Sequence, residues 1–216
     1  MAYQAVIFDL DGTILDTLDD LHASVNHALA QEGMPARSRE EVRARICNGV
    51  RRLVHLSVPA GTDEAAEERA FAAFRAHYAV HAADRTAPYP GIPALLARLR
   101  EAGMPTAVVS NKSDEVVRAL VEQHFPGLFD VVVGEREGVR RKPAPDSLLV
   151  VMDELGVKAA QVLYVGDSEV DVETSANAGV NCAIVSWGFR DEGFMRERGA
   201  QVIVHTCDEL AALALG

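Results

Sequence analysis

The 216-residue chain has little cysteine, few aromatic residues and a shortage of positive charge. Its three cysteines, Cys47, Cys182 and Cys207, are odd in number, scattered and free of any C-x-x-C spacing. A disulfide framework is therefore not expected, and a reducing cytoplasm suits the chain. No apolar run approaches the ~20 residues of a membrane-spanning helix, since acids and turn residues cut short the runs at 6–10 and 107–109. The first residues pass directly into an apolar segment ending at Asp9, without the basic region and cleavage site of a secretory leader. The expectation is a soluble protein with no membrane partner. Neither G-x-x-x-x-G-K-[ST] nor G-x-G-x-x-G occurs, so a nucleotide-driven motor or a dinucleotide enzyme has no support. With 21 basic against 32 acidic side chains the formal charge is −11, which disfavours nucleic acid as a partner. That excess also repels anionic substrates, so any site for one must be locally positive or metal-loaded.

What is present is an ordinary globular composition, 49% hydrophobic and 25% charged, on a chain long enough for one full core plus an accessory layer. Residues 5–8 form a short continuous apolar run of the kind that makes a strand buried on both faces. Similar runs follow at 106–109, 131–133, 162–165, 182–185 and 202–204. Helical patterns lie between most of them, as at 93–100 and 113–124. This alternation predicts an α/β fold, a three-layer Rossmann-like core with a parallel sheet and right-handed crossovers. Residues 16–83 break the rhythm, with no strand-like run and several helix patterns joined by Gly33-Met34-Pro35, Asn48-Gly49 and Pro59-Ala60-Gly61. They read as an inserted small helical domain, leaving 1–15 and 84–216 as the core. Ser38 with Glu41 signals a capping box, Thr62 precedes an acidic first turn, and Ala87-Pro88-Tyr89-Pro90-Gly91 reads as the return hinge.

In such sheets ligands bind at the carboxyl ends of the strands, and here those ends are polar. Asp9-Leu10-Asp11-Gly12-Thr13 follows the first run, Ser110-Asn111-Lys112 the second, and Gly166-Asp167-Ser168-Glu169-Val170-Asp171 the run at 162–165. Between the last two lies Lys142-Pro143-Ala144-Pro145, a lysine on a proline-stiffened loop. Each piece alone has a plainer reading. Asp-x-Asp-Gly suits a surface turn, Ser168 with Asp171 a helix cap, Lys142 a solvated charge and Ser110 a cap.

Together, in this order and spacing, the segments resemble the four motifs of the haloacid dehalogenase superfamily over essentially the whole chain. The nearest likeness is to its phosphoglycolate phosphatase-like group, through the same motifs and Asn48-Gly49-Val50 in the helical insert, which resembles the family's cap. The resemblance implies that Asp9 is the nucleophile, Ser110 the hydroxyl of the second motif, Lys142 the motif lysine, and Asp167 with Asp171 the acidic metal loop. It places Asp171 behind the site, orienting Lys142 or a water, with Ser168 beside it. The chemistry of the residues fits. Asp9 and Asp11 of an extended segment point to one side and Asp167 arrives from another strand end, a hard-oxygen set suited to Mg²⁺. Asp9 would attack phosphorus to give an aspartyl-phosphate; Asp11 would protonate the leaving alkoxide and later take a proton from water. Gly12, beside Thr13, leaves room for phosphate, while Ser110, Asn111 and Lys142 supply donors.

The expected activity is hydrolysis of a small phosphorylated metabolite such as 2-phosphoglycolate. Asn48, Gly49, Arg51 and Arg52 form the candidate substrate loop, an arginine pairing with a substrate carboxylate. Asp11 argues against a dehalogenase, and the absence of lysine from 16–83 against a Schiff-base phosphonatase. A sugar phosphomutase, a pyrophosphatase or nucleotidase, and a catalytically silent partner-binding protein stay as alternatives. Oligomeric state is left open. His77 and His81, at i and i+4 with no acid or cysteine pattern nearby, read as a helix surface.

Overall fold

The computed structural model describes residues 3–46 and 49–216. Cys47 and Asn48 therefore lie outside the described residues. The first apolar run becomes β1 (Ala5–Phe8), all four residues buried. Its continuous apolarity matches its place in the middle of a sheet covered on both faces. The chain forms two further short strands, β2 (Leu15–Asp16) and β3 (Ala87–Pro88), which pair in a separate ribbon. Then follow β4 (Thr106–Ser113), β5 (Val131–Glu135), β6 (Val162–Gly166), β7 (Asn181–Val185) and β8 (Ile203–Val204). The main sheet has the order β5-β4-β1-β6-β7-β8, and every pairing in it is parallel.

Ala5, Ile7, Ala107, Val109, Val162 and Tyr164 share a core cluster, as the two-residue period of strands dictates. Leu148, Val151 and Met152 of a helix over Asp146–Leu155 pack against them. The opposite parity, Val6, Phe8, Val108, Leu163 and Val165, is equally buried. The register Phe8↔Val108 and Phe8↔Val165 brings β1, β4 and β6 level, so the residues that follow Phe8 and Gly166 emerge at one edge. β4 outruns its apolar stretch, for Ser110, Asn111 and Lys112 are strand residues and buried. The polarity that suggests a strand end at Val109 instead marks a strand whose last residues are engaged by buried partners.

By its internal contacts the chain divides into Met1–Leu15 with Pro88–Gly216, and Asp16–Ala87. The second unit is helical: α1 (Leu18–Gln31), α2 (Arg39–Arg45), α3 (Gly49–Ser57) and α4 (Glu64–His81). Helix α1 packs on α2 and α4, and α3 on both of those. The Ser38–Glu41 capping box forms. Helix α4, however, is capped by Asp63, whose carboxylate accepts from Ala66 N–H at 2.9 Å, while the Thr62 hydroxyl donates to the Pro59 carbonyl. The return into the first unit falls at Pro88 rather than at 84. Asp20, buried at the start of α1, accepts from the backbone N–H groups of Arg85 and Thr86 and from the Thr86 hydroxyl, which keeps those residues with the helices. No helix among the described residues is long and apolar enough to cross a membrane.

Candidate active site

Asp9 follows β1 directly, its backbone N–H still donating to the Val165 carbonyl of β6 at 2.8 Å. The Lys142 ammonium lies 2.9 Å from Asp9 Oδ1 and 2.8 Å from Asp171 Oδ1. It also donates to the Tyr164 hydroxyl at 3.0 Å, and that hydroxyl donates to Asp171 Oδ1 at 2.6 Å. The second Asp171 oxygen accepts from the Asp167 and Ser168 backbone N–H groups and from the Ser168 hydroxyl, closing a capping box on the helix over Glu169–Ala178. Burial opposes ionisation of Asp171, but Lys142 and these donors outweigh it and hold the carboxyl below its usual range. Burial likewise pulls the Lys142 ammonium down, and the Asp171 and Asp9 carboxylates more than reverse this.

Asp9 is compensated less well. Burial pushes its carboxyl up to about 7, Lys142 opposing and Asp171 and Asp11 adding to the rise. Asp167, only 2% exposed, is raised well above the ordinary carboxyl range by burial and then by Asp171 and Asp9. Its Oδ2 accepts from the Phe189 N–H at 2.7 Å. A Cβ on either Gly12 or Gly188 would collide with the Asp167 carboxyl, so both glycines make way for it. Gly12 thus serves Asp167 rather than only a phosphate.

Among the described residues one acidic group has the proximity of a metal site, Asp9, Asp167 and Asp171, with ligand atoms within 4.8 Å of one another. Asp171 is already occupied by Lys142, Tyr164 and three donors of the 167–168 segment. Asp9 and Asp167 keep accepting capacity, and two buried carboxylates of hard oxygen fit a divalent Mg²⁺-type ion. The Asp11 carboxylate, expected in this set, is not part of it. Its Oδ1 is taken by the Lys112 ammonium at 2.6 Å.

The remaining motif residues divide. Ser110 is 6% exposed, and its hydroxyl accepts from the Lys112 N–H at 3.2 Å while keeping its own proton to donate. Asn111, expected as a phosphate donor, spends its side-chain amide on the Lys142 backbone, donating to the carbonyl at 2.9 Å and accepting from the N–H at 2.8 Å. It clamps the lysine loop to β4. Thr13 is wholly buried, with no hydrogen-bond partner for its hydroxyl among the described residues, and its carbonyl accepts from the Trp187 indole N–H at 3.0 Å. The sequence pattern assigns no role to Lys112, Tyr164 or the Gly188-Phe189 backbone. Tyr164 carried a signal, because a tyrosine in a doubly buried strand must find a partner for its hydroxyl.

Within the helical unit, Gly49 opens α3, and Arg51 is engaged by the Glu68 carboxylate and lies 4.1 Å over the Phe71 ring. That pairing departs from the expectation of a guanidinium held for substrate. Arg52 is exposed on the same helix.

The sequence profile of the haloacid dehalogenase-like hydrolases matches residues 6–185. The chain is 34% identical to a phosphoglycolate phosphatase of Pseudomonas syringae pv. tomato, over 98% of this chain and 78% of that one. It is 33% identical to an N-acetylmuramic acid 6-phosphate phosphatase of Pseudomonas aeruginosa, over 97% and 94%. Among solved structures it is similar to a Lactobacillus delbrueckii subsp. bulgaricus protein described as a candidate phosphoglycolate phosphatase, with 38% identity, a TM-score of 0.96 and full coverage of both chains.

Proposed function

The chain belongs to the haloacid dehalogenase-like hydrolases and is a phosphatase, and from that premise we propose that it hydrolyses small phosphate monoesters through an aspartyl-phosphate on Asp9, with Mg²⁺ as cofactor. The observation that carries this reading is Asp9, a buried carboxylate at a central strand end, facing a lysine that Asp171 and Tyr164 hold from behind. In the first half-reaction an Asp9 oxygen attacks phosphorus, the bond to the leaving alkoxide breaks, and Asp11 gives the alkoxide its proton. In the second, water attacks phosphorus, its proton passes to Asp11, and the bond to Asp9 breaks to release inorganic phosphate. Lys142 and the Ser110 hydroxyl donate to the phosphoryl oxygens. Asp9 and Asp167 would hold Mg²⁺, which supplies the positive charge a phosphate dianion needs beside these acids.

Two of the relatives support a substrate class. Phosphoglycolate and N-acetylmuramic acid 6-phosphate each carry a phosphate on a primary carbon and a carboxylate elsewhere. A primary alkyl phosphate bearing a carboxylate is the proposed substrate, 2-phosphoglycolate the smaller case. No observation favours a mutase, a pyrophosphatase or nucleotidase, or a silent binding protein. A cytoplasmic setting belongs to the same reading and rests on the free thiols Cys182 and Cys207.

The test is phosphate release with Mg²⁺ across 2-phosphoglycolate, N-acetylmuramic acid 6-phosphate, pyrophosphate, a nucleoside monophosphate and an aryl phosphate. Preference for the two carboxylated esters, lost in Asp9→Asn, is expected. Near wild-type turnover by Asp9→Asn contradicts the mechanism, and a flat profile contradicts the substrate class.

A further inference from the structure

Two lysines serve the Asp-x-Asp segment. Lys142 reaches Asp9, and Lys112, from the end of β4, reaches Asp11 Oδ1 at 2.6 Å. The Lys112 side chain is 4% exposed and that of Asp11 17%, so this pair is set into the protein rather than draped over its surface. Burying an ammonium costs several kcal/mol unless a carboxylate and good geometry offset it. The backbone around Lys112 is fixed, its N–H on the Ser110 hydroxyl and its neighbour Asn111 clamped to Lys142. On the Asp11 side, the turn is fixed by Gly12 N–H donating to the Leu15 carbonyl.

We infer that Lys112 is a positioning residue for the phosphatase reaction, holding the Asp11 carboxyl by its Oδ1 in one orientation for proton transfer. The inference rests on the proton-handling role of Asp11 proposed above. Oδ1 accepts from the ammonium whether or not Oδ2 is protonated, so the orientation holds in both half-reactions. The proton that Asp11 gives to the alkoxide is the one later replaced from water, and Lys112 neither gains nor loses one. A lysine that merely satisfied a buried charge would show no such dependence on the leaving group.

The experiment measures kcat/KM with Mg²⁺ for 4-nitrophenyl phosphate, whose leaving anion departs without a proton, and for a primary alkyl phosphate, whose alkoxide needs one. Wild type, Lys112→Met, Asp11→Asn and the double variant are compared, with thermal unfolding of each. Lys112→Met is expected to lose roughly 10- to 100-fold on the alkyl ester, within the range of positioned proton transfer, and less than about 3-fold on the aryl ester. In the double variant, losing Lys112 should add nothing to Asp11→Asn, the mark of one residue acting through another. Equal losses on both esters, additive losses in the double variant, or no loss at all overturn the proposal. Should Lys112→Met fail to fold, Lys112→Gln, which keeps a neutral donor, is expected to show the same split at smaller size, and an equal loss there is equally fatal. If Asp11→Asn itself shows no leaving-group dependence, it is the role of Asp11 that falls. Absence of phosphate release by wild type from either ester removes the wider reading and this role with it.

Discussion

A buried carboxylate persists only with compensation, and the acids of this site find it in different ways. Asp171 takes an ammonium, a phenol, a hydroxyl and backbone N–H groups and is held ionised. Asp11 takes Lys112. Asp167 accepts from the Phe189 N–H, in space that Gly12 and Gly188 leave open by having no side chain, and is left far above its ordinary range. Gly12 has a φ of +80°, as does Gly138, where an added Cβ would meet nothing within 4 Å. Alanine at either position pays the left-handed backbone penalty of about 1–2 kcal/mol. Only Gly12→Ala also drives a methyl group into the Asp167 carboxyl and the Phe189 ring. Gly12→Ala is therefore expected to lose at least about 10-fold in kcat/KM, roughly 1.4 kcal/mol of transition-state stabilisation, while Gly138→Ala loses stability alone. Equal activity in the two variants would show that Asp167 tolerates the intrusion.

At the scale of elements, apolar pattern and local capping were readable and long-range polar pairing was not. The run at 5–8 is β1 because four apolar residues in sequence suit a strand covered on both faces. The Ser38–Glu41 box was readable because its partners are three residues apart. β4 reads too short in sequence, since Ser110, Asn111 and Lys112 are polar and the side-chain partners of Asn111 and Lys112 lie 31 and 101 residues away. Four motif positions, Asp9, Lys142, Asp167 and Asp171, lie close together. The division of labour did not show, because nothing in sequence says that Asn111 clamps a loop or that Arg51 turns to Glu68. His77, expected on a helix surface, is half-buried on α4, stacks with the His27 and His81 rings at 4.2 and 4.3 Å and meets the Ser24 hydroxyl at 2.9 Å. The i, i+4 spacing was legible; the third ring, from α1, was not.

For the whole molecule, the formal charge of −11 requires that a site for a phosphate dianion be locally positive, and in the proposed function a cation held by Asp9 and Asp167 adds to the charge of the lysines there. It also couples the cation to stability. Burial raises the Asp9 carboxyl to about 7 in the folded, metal-free chain, above its value of 3.8 when unfolded, and Asp167 moves the same way. A carboxyl raised on folding favours the fold below its unfolded pKa, and that advantage is lost as pH rises through the folded pKa. Mg²⁺ bound by Asp9 and Asp167, as proposed, would hold both groups ionised without this loss. The rise in thermal midpoint on adding Mg²⁺ is therefore expected to be larger at pH 8 than at pH 5.5, by about 3 °C or more. Burial lowers His77 and His124, which weakens the fold as pH falls, but equally with and without the ion, so the difference cancels them. An Mg²⁺ effect that does not change with pH would contradict the assignment of Asp9 and Asp167 as its holders. The proposed mechanism stands on the phosphoryl group on Asp9. Acid quench during turnover of 2-phosphoglycolate, borohydride reduction of the acyl phosphate and peptide mass spectrometry should find homoserine in place of Asp9 and at no other aspartate. Homoserine in place of Asp11 or Asp167, or none under conditions of rapid turnover, would contradict it.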